Sequence, residues 1–142
     1  MEVVHKEDNF LTLTCRRGED IINALKTYID THSVKAAHIT GLGSVDEVEL
    51  AYYNLETKEY ERHHLDEKLE IVNLTGNVSL NNAGETVIHI HGTFGRRDLS
   101  VIGGHVMSMQ VSGVAELHLR TFKEPIHRRY DDDTGLHIMY PS

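Results

Sequence analysis

Three histidines stand at a spacing that could hold a metal ion. His89 and His91 lie in Val87-Ile88-His89-Ile90-His91-Gly92, and His105 follows Gly103-Gly104. Side chains alternate faces along a strand, so His89 and His91 share one side while Ile88 and Ile90 point to the other. Between them and His105, the stretch from Phe94 to Ser100 contains Gly95, Arg96, Arg97 and Asp98, which suit a connecting loop. If the flanking strands form a hairpin centred on Asp98, His91 falls directly opposite His105, where paired Cβ atoms lie ~4.5–5.5 Å apart. All three imidazoles can then converge on one ion at the roughly 2.0–2.1 Å expected of Zn–N bonds. An odd register, or a bulge at Gly103-Gly104, would turn His105 to the other face. In the favourable register the same two glycines would leave space beside the ion. The competing picture is three unrelated histidines on a solvated sheet face.

Three imidazoles without an evident fourth protein ligand leave one coordination position open. That is the pattern of catalytic or ligand-binding zinc, whereas structural zinc is closed by four protein ligands. Zinc is the preferred ion, although imidazole also suits copper, nickel and iron. Glu70, a charge between Leu69 and Ile71, is the candidate catalytic residue. It could orient a ligating imidazole or act as a general base on metal-bound water; otherwise it is a carboxylate on the solvated face. His63 and His64 are adjacent and so face opposite ways. His5, His32, His118, His127 and His137 have no spacing partner, and the surface is their default position.

The elements that must carry these residues can be read from periodicity. Phe10 to Cys15 alternates as a strand, and Asp20 is placed to cap a helix whose apolar face is Ile21, Ile22, Ala24, Leu25, Tyr28 and Ile29, ending near residues 31–33. A short strand is expected over Ala36 to Thr40, broken by Gly41-Leu42-Gly43-Ser44, and then a second over Val45 to Asn54. A turn at residues 55–58 leads into Glu59 to Leu65, and a long strand runs from Leu69 to Leu80, with Gly76 as a bulge or close-approach point. Asn81-Asn82-Ala83-Gly84 is a turn. Thr86 to Phe94, Val101 to Val111 and Ala115 to Phe122 follow as strands, with an edge strand near Leu136 to Tyr140. One helix followed by hairpin-length strands predicts an α+β fold with a mainly antiparallel sheet and one principal flanking helix. It forms a single domain over 1–142, with its core at about 10–122 and a C-terminal extension over 123–142.

Composition narrows the function. A chain of 142 residues buries roughly 68–70% of its unfolded surface, enough for a core without staples. The single cysteine, Cys15, permits no internal disulfide and reads as a small core hydrophobe in a reducing compartment. No long apolar run and no basic-then-apolar start occur, so neither a membrane span nor a signal peptide is expected, and the cytoplasm is the expected location. The formal net charge is −8, from 14 Lys and Arg against 22 Asp and Glu, which argues against a duplex-binding surface.

Over about Phe10 to Phe122, the segments Ala37-His38-Ile39-Thr40-Gly41-Leu42-Gly43-Ser44-Val45, Leu69-Glu70-Ile71, Leu74-Thr75-Gly76-Asn77, His89-Ile90-His91 and Gly103-Gly104-His105 stand in an order that resembles the plants-and-prokaryotes-conserved (PPC) domain family. The resemblance implies an antiparallel-sheet domain with a flanking helix, assembly as a homotrimer, and metal ligation by His89, His91 and His105. Plant members join this domain to AT-hooks built on Arg-Gly-Arg-Pro; here there is only Gly95-Arg96-Arg97-Asp98, as in a stand-alone prokaryotic-type member. Two functions are therefore in view. One is a metal-dependent trimer with a small-molecule ligand at the metal. The other is a DNA-associated or regulatory trimer whose metal is structural or absent.

Overall fold

The computed structural model describes residues 1–141. In chain order the elements are β1 (Glu2–Glu7), β2 (Phe10–Arg16), α1 (Ile21–Thr31), β3 (Ala37–Asn54), β4 (Glu59–Leu65), β5 (Leu69–Leu80), β6 (Thr86–Gly95), β7 (Val101–Thr121), β8 (Arg128–Asp131) and β9 (Leu136–Met139). Strict alternation decides which way they face. Leu11, Leu13 and Cys15 of β2, Leu74 and Val78 of β5, Ile90 and Phe94 of β6, and Ala115, Leu117 and Leu119 of β7 all point into one core. Helix α1 adds Ile21, Leu25 and Ile29 and packs on β6 and β7. Its start is fixed by Asp20, whose carboxylate accepts the Asn23 N–H at 2.7 Å, a cap worth about 1 kcal/mol.

The α+β expectation holds. Seven strands pair antiparallel in the order β1-β2-β7-β6-β5-β3-β4. A further pairing of β7 with β3 closes β3, β5, β6 and β7 into a ring around the core. The outer surface of that ring carries His89 and His91.

Several boundaries differ from expectation, each for a physical reason. The glycines at 41 and 43 do not end a strand; β3 is continuous over 18 residues. They bend it instead. The register with β5 shifts between Gly41 and Gly43, and a Cβ on Gly43, whose φ is +146°, would sit 2.4 Å from the Val114 carbonyl oxygen. The two strands expected over 101–111 and 115–122 are one 21-residue strand, β7, long enough to pair with β6, β3 and β2 in turn. Strand β1 has no alternating burial, every residue being exposed, so periodicity could not reveal it.

The C-terminal segment is the largest departure. A strand does occupy Leu136–Met139, but it pairs with β8 as a separate two-stranded sheet and does not join the edge of the main one. This small sheet is tied across two hairpins. The Leu80 N–H donates to Ile126 O at 2.8 Å, the Tyr53 hydroxyl donates to Thr134 O at 2.9 Å, and Lys58 Nζ donates to Asp132 O at 2.6 Å. Among the described residues, no helix is long and apolar enough to cross a membrane.

Candidate metal centre

The hairpin that carries the triad forms in the register its symmetry suggests. Arg96 N–H donates to Ser100 O, Leu99 N–H to Arg96 O, and the Asp98 carboxylate accepts from both the backbone N–H and the hydroxyl of Ser100. This tight turn folds β7 back on β6 so that His91 pairs with His105. The glycines beside His105 act differently from the expectation of room for an ion. A Cβ on Gly103 would meet Gly92 O at 2.7 Å, and one on Gly104 would meet Ala51 O at 3.1 Å. They let neighbouring backbones approach, which draws β6, β7 and β3 together under the imidazoles.

The three rings converge. Centroid separations are 5.0 Å for His89–His91, 5.0 Å for His89–His105 and 5.4 Å for His91–His105. One ring nitrogen from each lies within 4.8 Å of the others, and His89 Nε2 is 3.2 Å from His91 Nε2. A tetrahedral ion about 2.0–2.1 Å from each nitrogen would hold the nitrogens roughly 3.4 Å apart. The first pair is already at that spacing. His105 offers a second sign of fit, because its Nδ1 is buried without a hydrogen-bond partner. A buried polar atom left unpaired costs about 1–3 kcal/mol, which a bound cation in the cluster would offset.

Electrostatics keep the rings in the form that ligates. Burial first, and then repulsion of a second positive charge beside His105, Arg128 and His91, pushes the His89 pKa down to about 4. Burial and then His91 lower that of His105. Both imidazoles are therefore neutral near pH 7, with lone pairs available to a metal.

Other groups complete the surroundings. Tyr60 of β4 lies over His105 with ring centroids 4.9 Å apart, and Tyr53 stands behind it at 4.9 Å. Arg128 of β8 is only 7% exposed. Its Nε donates to Ser79 Oγ at 2.7 Å and its Nη1 to His137 O at 2.7 Å. Its Nη2 donates to Asn77 Oδ1 at 3.0 Å and to His89 Nδ1 at 3.3 Å. A cavity of about 840 Å³ opens between the histidine face and β9. Sequence reasoning missed Tyr60, Asn77 and Arg128. Two signals were present: tyrosines on both sides of the 55–58 turn, and the Arg128-Arg129 pair within an otherwise polar tail.

Glu70 is not brought to the triad. It pairs with Gly95, four residues along β6 from His91 and so about 13 Å away at the rise of a strand. It lines a separate concavity with Arg17, Lys68 and Arg97. The expectation of a base or an imidazole-orienting carboxylate at Glu70 is corrected for the single chain, because the carboxylate cannot span that distance. His137 is exposed, as expected, and also lines the cavity beside the triad.

Comparison with known proteins agrees with this fold. Residues 4–123 match the family described as the Plants and Prokaryotes Conserved (PCC) domain. A structure from Bacteroides thetaiotaomicron, described as that of a candidate DNA-binding protein, is 32% identical, with 98% of this chain and 96% of that one covered and a TM-score of 0.93. A protein from Archaeoglobus fulgidus described as metal-containing is 32% identical, covering 99% of this chain and 100% of that one, with a TM-score of 0.85. A plant- and prokaryote-conserved protein from Pyrococcus horikoshii is 25% identical over 99% of this chain and 94% of that one, with a TM-score of 0.84. A search of curated proteins gave no match.

Proposed function

The chain belongs to the plants-and-prokaryotes-conserved domain family, and from that premise we propose that it is a zinc-binding homotrimer whose metal, held by His89, His91 and His105, keeps one coordination position open for a small molecule. The observation that carries this is the convergence of three imidazoles with ligand nitrogens within 4.8 Å, and no fourth His, Cys, Asp or Glu in the cluster among the described residues. The Archaeoglobus relative described as metal-containing supports it at 32% identity. The all-nitrogen ligand set favours zinc. When bound, such a metal supplies a Lewis acid and lowers the pKa of coordinated water to about 7. The test is elemental analysis of purified protein. The expected result is close to one zinc per chain, lost on His89→Ala or His105→Ala with the fold retained. Protein that takes up no divalent metal, or takes it up equally in both variants, overturns the proposal.

Assembly as a trimer is part of the same reading. What supports it on the surface is an apolar pair on the outer sheet face. Gly41 pairs with Leu74 and Gly43 with Ile71, so Leu42 lies alongside Val72, and both are more than half exposed. Neighbouring exposed apolar side chains of this kind are what a contact between copies would cover. Light scattering should give three times the chain mass, falling to the monomer value in Leu42→Glu. A monomeric wild type would remove this part of the reading.

The DNA-binding description of the Bacteroides relative is not carried to this chain. The net charge is −8. Arg16 is paired with Glu2, Arg96 with Glu67, and Arg128 is buried. The excess of 22 acidic over 14 basic residues opposes the counterion release that drives duplex binding.

A further inference from the structure

We propose that the cavity beside the triad is built for a small organic carboxylate with an apolar body. This rests on the metal-site reading above and deepens it by naming the ligand class.

The first observation is charge. The protein carries 22 Asp and Glu, yet none of them lines this cavity, and among the described residues its one formally charged lining residue is Arg128. The second is that Arg128 has no carboxylate within ion-pairing distance among the described residues, although it is almost wholly buried. A buried charge without a counter-charge is costly. This one also stands against a metal ligand, where it repels any cation the triad holds. Both costs fall if an anion occupies the space between.

The third observation is a coupling through His89. An arginine N–H can only donate, so the 3.3 Å contact requires His89 Nδ1 to accept. Nε2 then bears the ring proton and donates to His91 Nε2, 3.2 Å away. A neutral imidazole that gives its Nε2 lone pair to a metal must carry its proton on Nδ1, and that N–H would face the guanidinium donor. Loading the triad therefore frees an Nη2 N–H from His89. It adds to the one Nη1 N–H with no partner, since Nε, Nη1 and Nη2 otherwise bond Ser79, His137 and Asn77. Two guanidinium N–H groups are a match for one carboxylate.

Donor supply and wall chemistry select the anion. A phosphate dianion needs more donors than a largely committed guanidinium and one open metal position provide. The remaining walls, among them Tyr52, Tyr60, Ile138 and Met139, are aromatic or aliphatic. They suit the hydrocarbon part of a carboxylic acid.

The probe is benzoate, titrated by calorimetry into the full-length zinc-loaded protein, with benzyl alcohol and inorganic phosphate as comparators. Benzoate should bind at least about tenfold more tightly than either, and more weakly once zinc is removed. Met139→Glu places a negative charge on an exposed part of the wall without disturbing the core. It should weaken benzoate at least about tenfold, whereas Met139→Gln should not. Arg128→Gln should do the same with zinc content unchanged; if that variant does not fold, the Met139 pair decides. Equal binding of benzoate and benzyl alcohol, tighter binding of phosphate, or equal effects of Glu and Gln at 139 would overturn the proposal while the metal site stands. If the protein holds no zinc, the metal-site reading fails, and the anion site, which needs the N–H that loading frees, fails with it.

Discussion

His89 carries the clearest pH signature of any single residue. Its pKa is about 4 in the fold against 6.5 in an exposed chain, chiefly because burial disfavours the charged ring. Between those two values the unfolded chain takes up a proton that the folded one refuses. The metal-free protein therefore loses stability as pH falls from about 6.5 toward 4, and below that window this group takes nothing further. The full shift would correspond to roughly 3 kcal/mol, and partial exposure reduces the expected loss to about 1–2 kcal/mol. Thermal melts of metal-free wild type and His89→Gln across pH 7.5 to 4 check this, the variant showing the shallower decline. Parallel curves would refute it. At this scale the metal residues were legible and their surroundings were not. The alternation around Ile88 and Ile90 and the symmetric turn fix His89, His91 and His105. Arg128 and Tyr60 reach them from elements 23 and 45 residues away from His105 in sequence, which no periodicity encodes. Glu70 shows the converse error: it stands on the same strand network, but register puts it at the other end.

Between residue and molecule, the site depends on how closely strands approach. Gly76 of β5 pairs with Ile90, and a Cβ there would lie 2.4 Å from His89 O and 2.6 Å from Ile90 Cγ1. Backbone cannot yield as a side-chain tip can, so Gly76→Ala must part β5 from β6 and tilt His89. The expected cost is about 1–3 kcal/mol of stability, with weaker zinc binding. Gly113→Ala is the comparison, since its Cβ would meet only the Ser44 hydroxyl at 2.8 Å. Urea titration of both variants, with and without zinc, separates the two; equal costs would show that the β5–β6 approach is not what constrains the site. Gly76 was legible as a close-approach point because an isolated glycine in an apolar strand pattern has few other uses. Gly41 and Gly43 were misjudged as a strand break. The same lack of a side chain that permits a turn also permits a bend within one long strand, and only the presence of β7 alongside tells them apart.

For the whole molecule, the question is what the C-terminal segment adds to a fold that is complete without it. Every member of the buried hydrophobic cluster lies between Leu11 and Leu119. Residues after Phe122 contribute β8, β9 and the buried Arg128, all outside that cluster and on the histidine side of the sheet. A chain ending at Phe122 should therefore fold, keep all three histidines in place and still bind one zinc. Two opposing effects then act on the metal. Losing the cover exposes the triad and speeds both entry and escape of the ion. Losing the Arg128 charge removes a repulsion and favours the bound state. Uptake should accelerate strongly, release to a chelator by about tenfold or less, and equilibrium affinity should stay level or rise. Stopped-flow mixing with a zinc-responsive dye measures both rates on the intact and shortened chains. Unchanged rates would mean that β8 and β9 do not govern access to the triad, and the cavity above it would then lose its roof as a functional part.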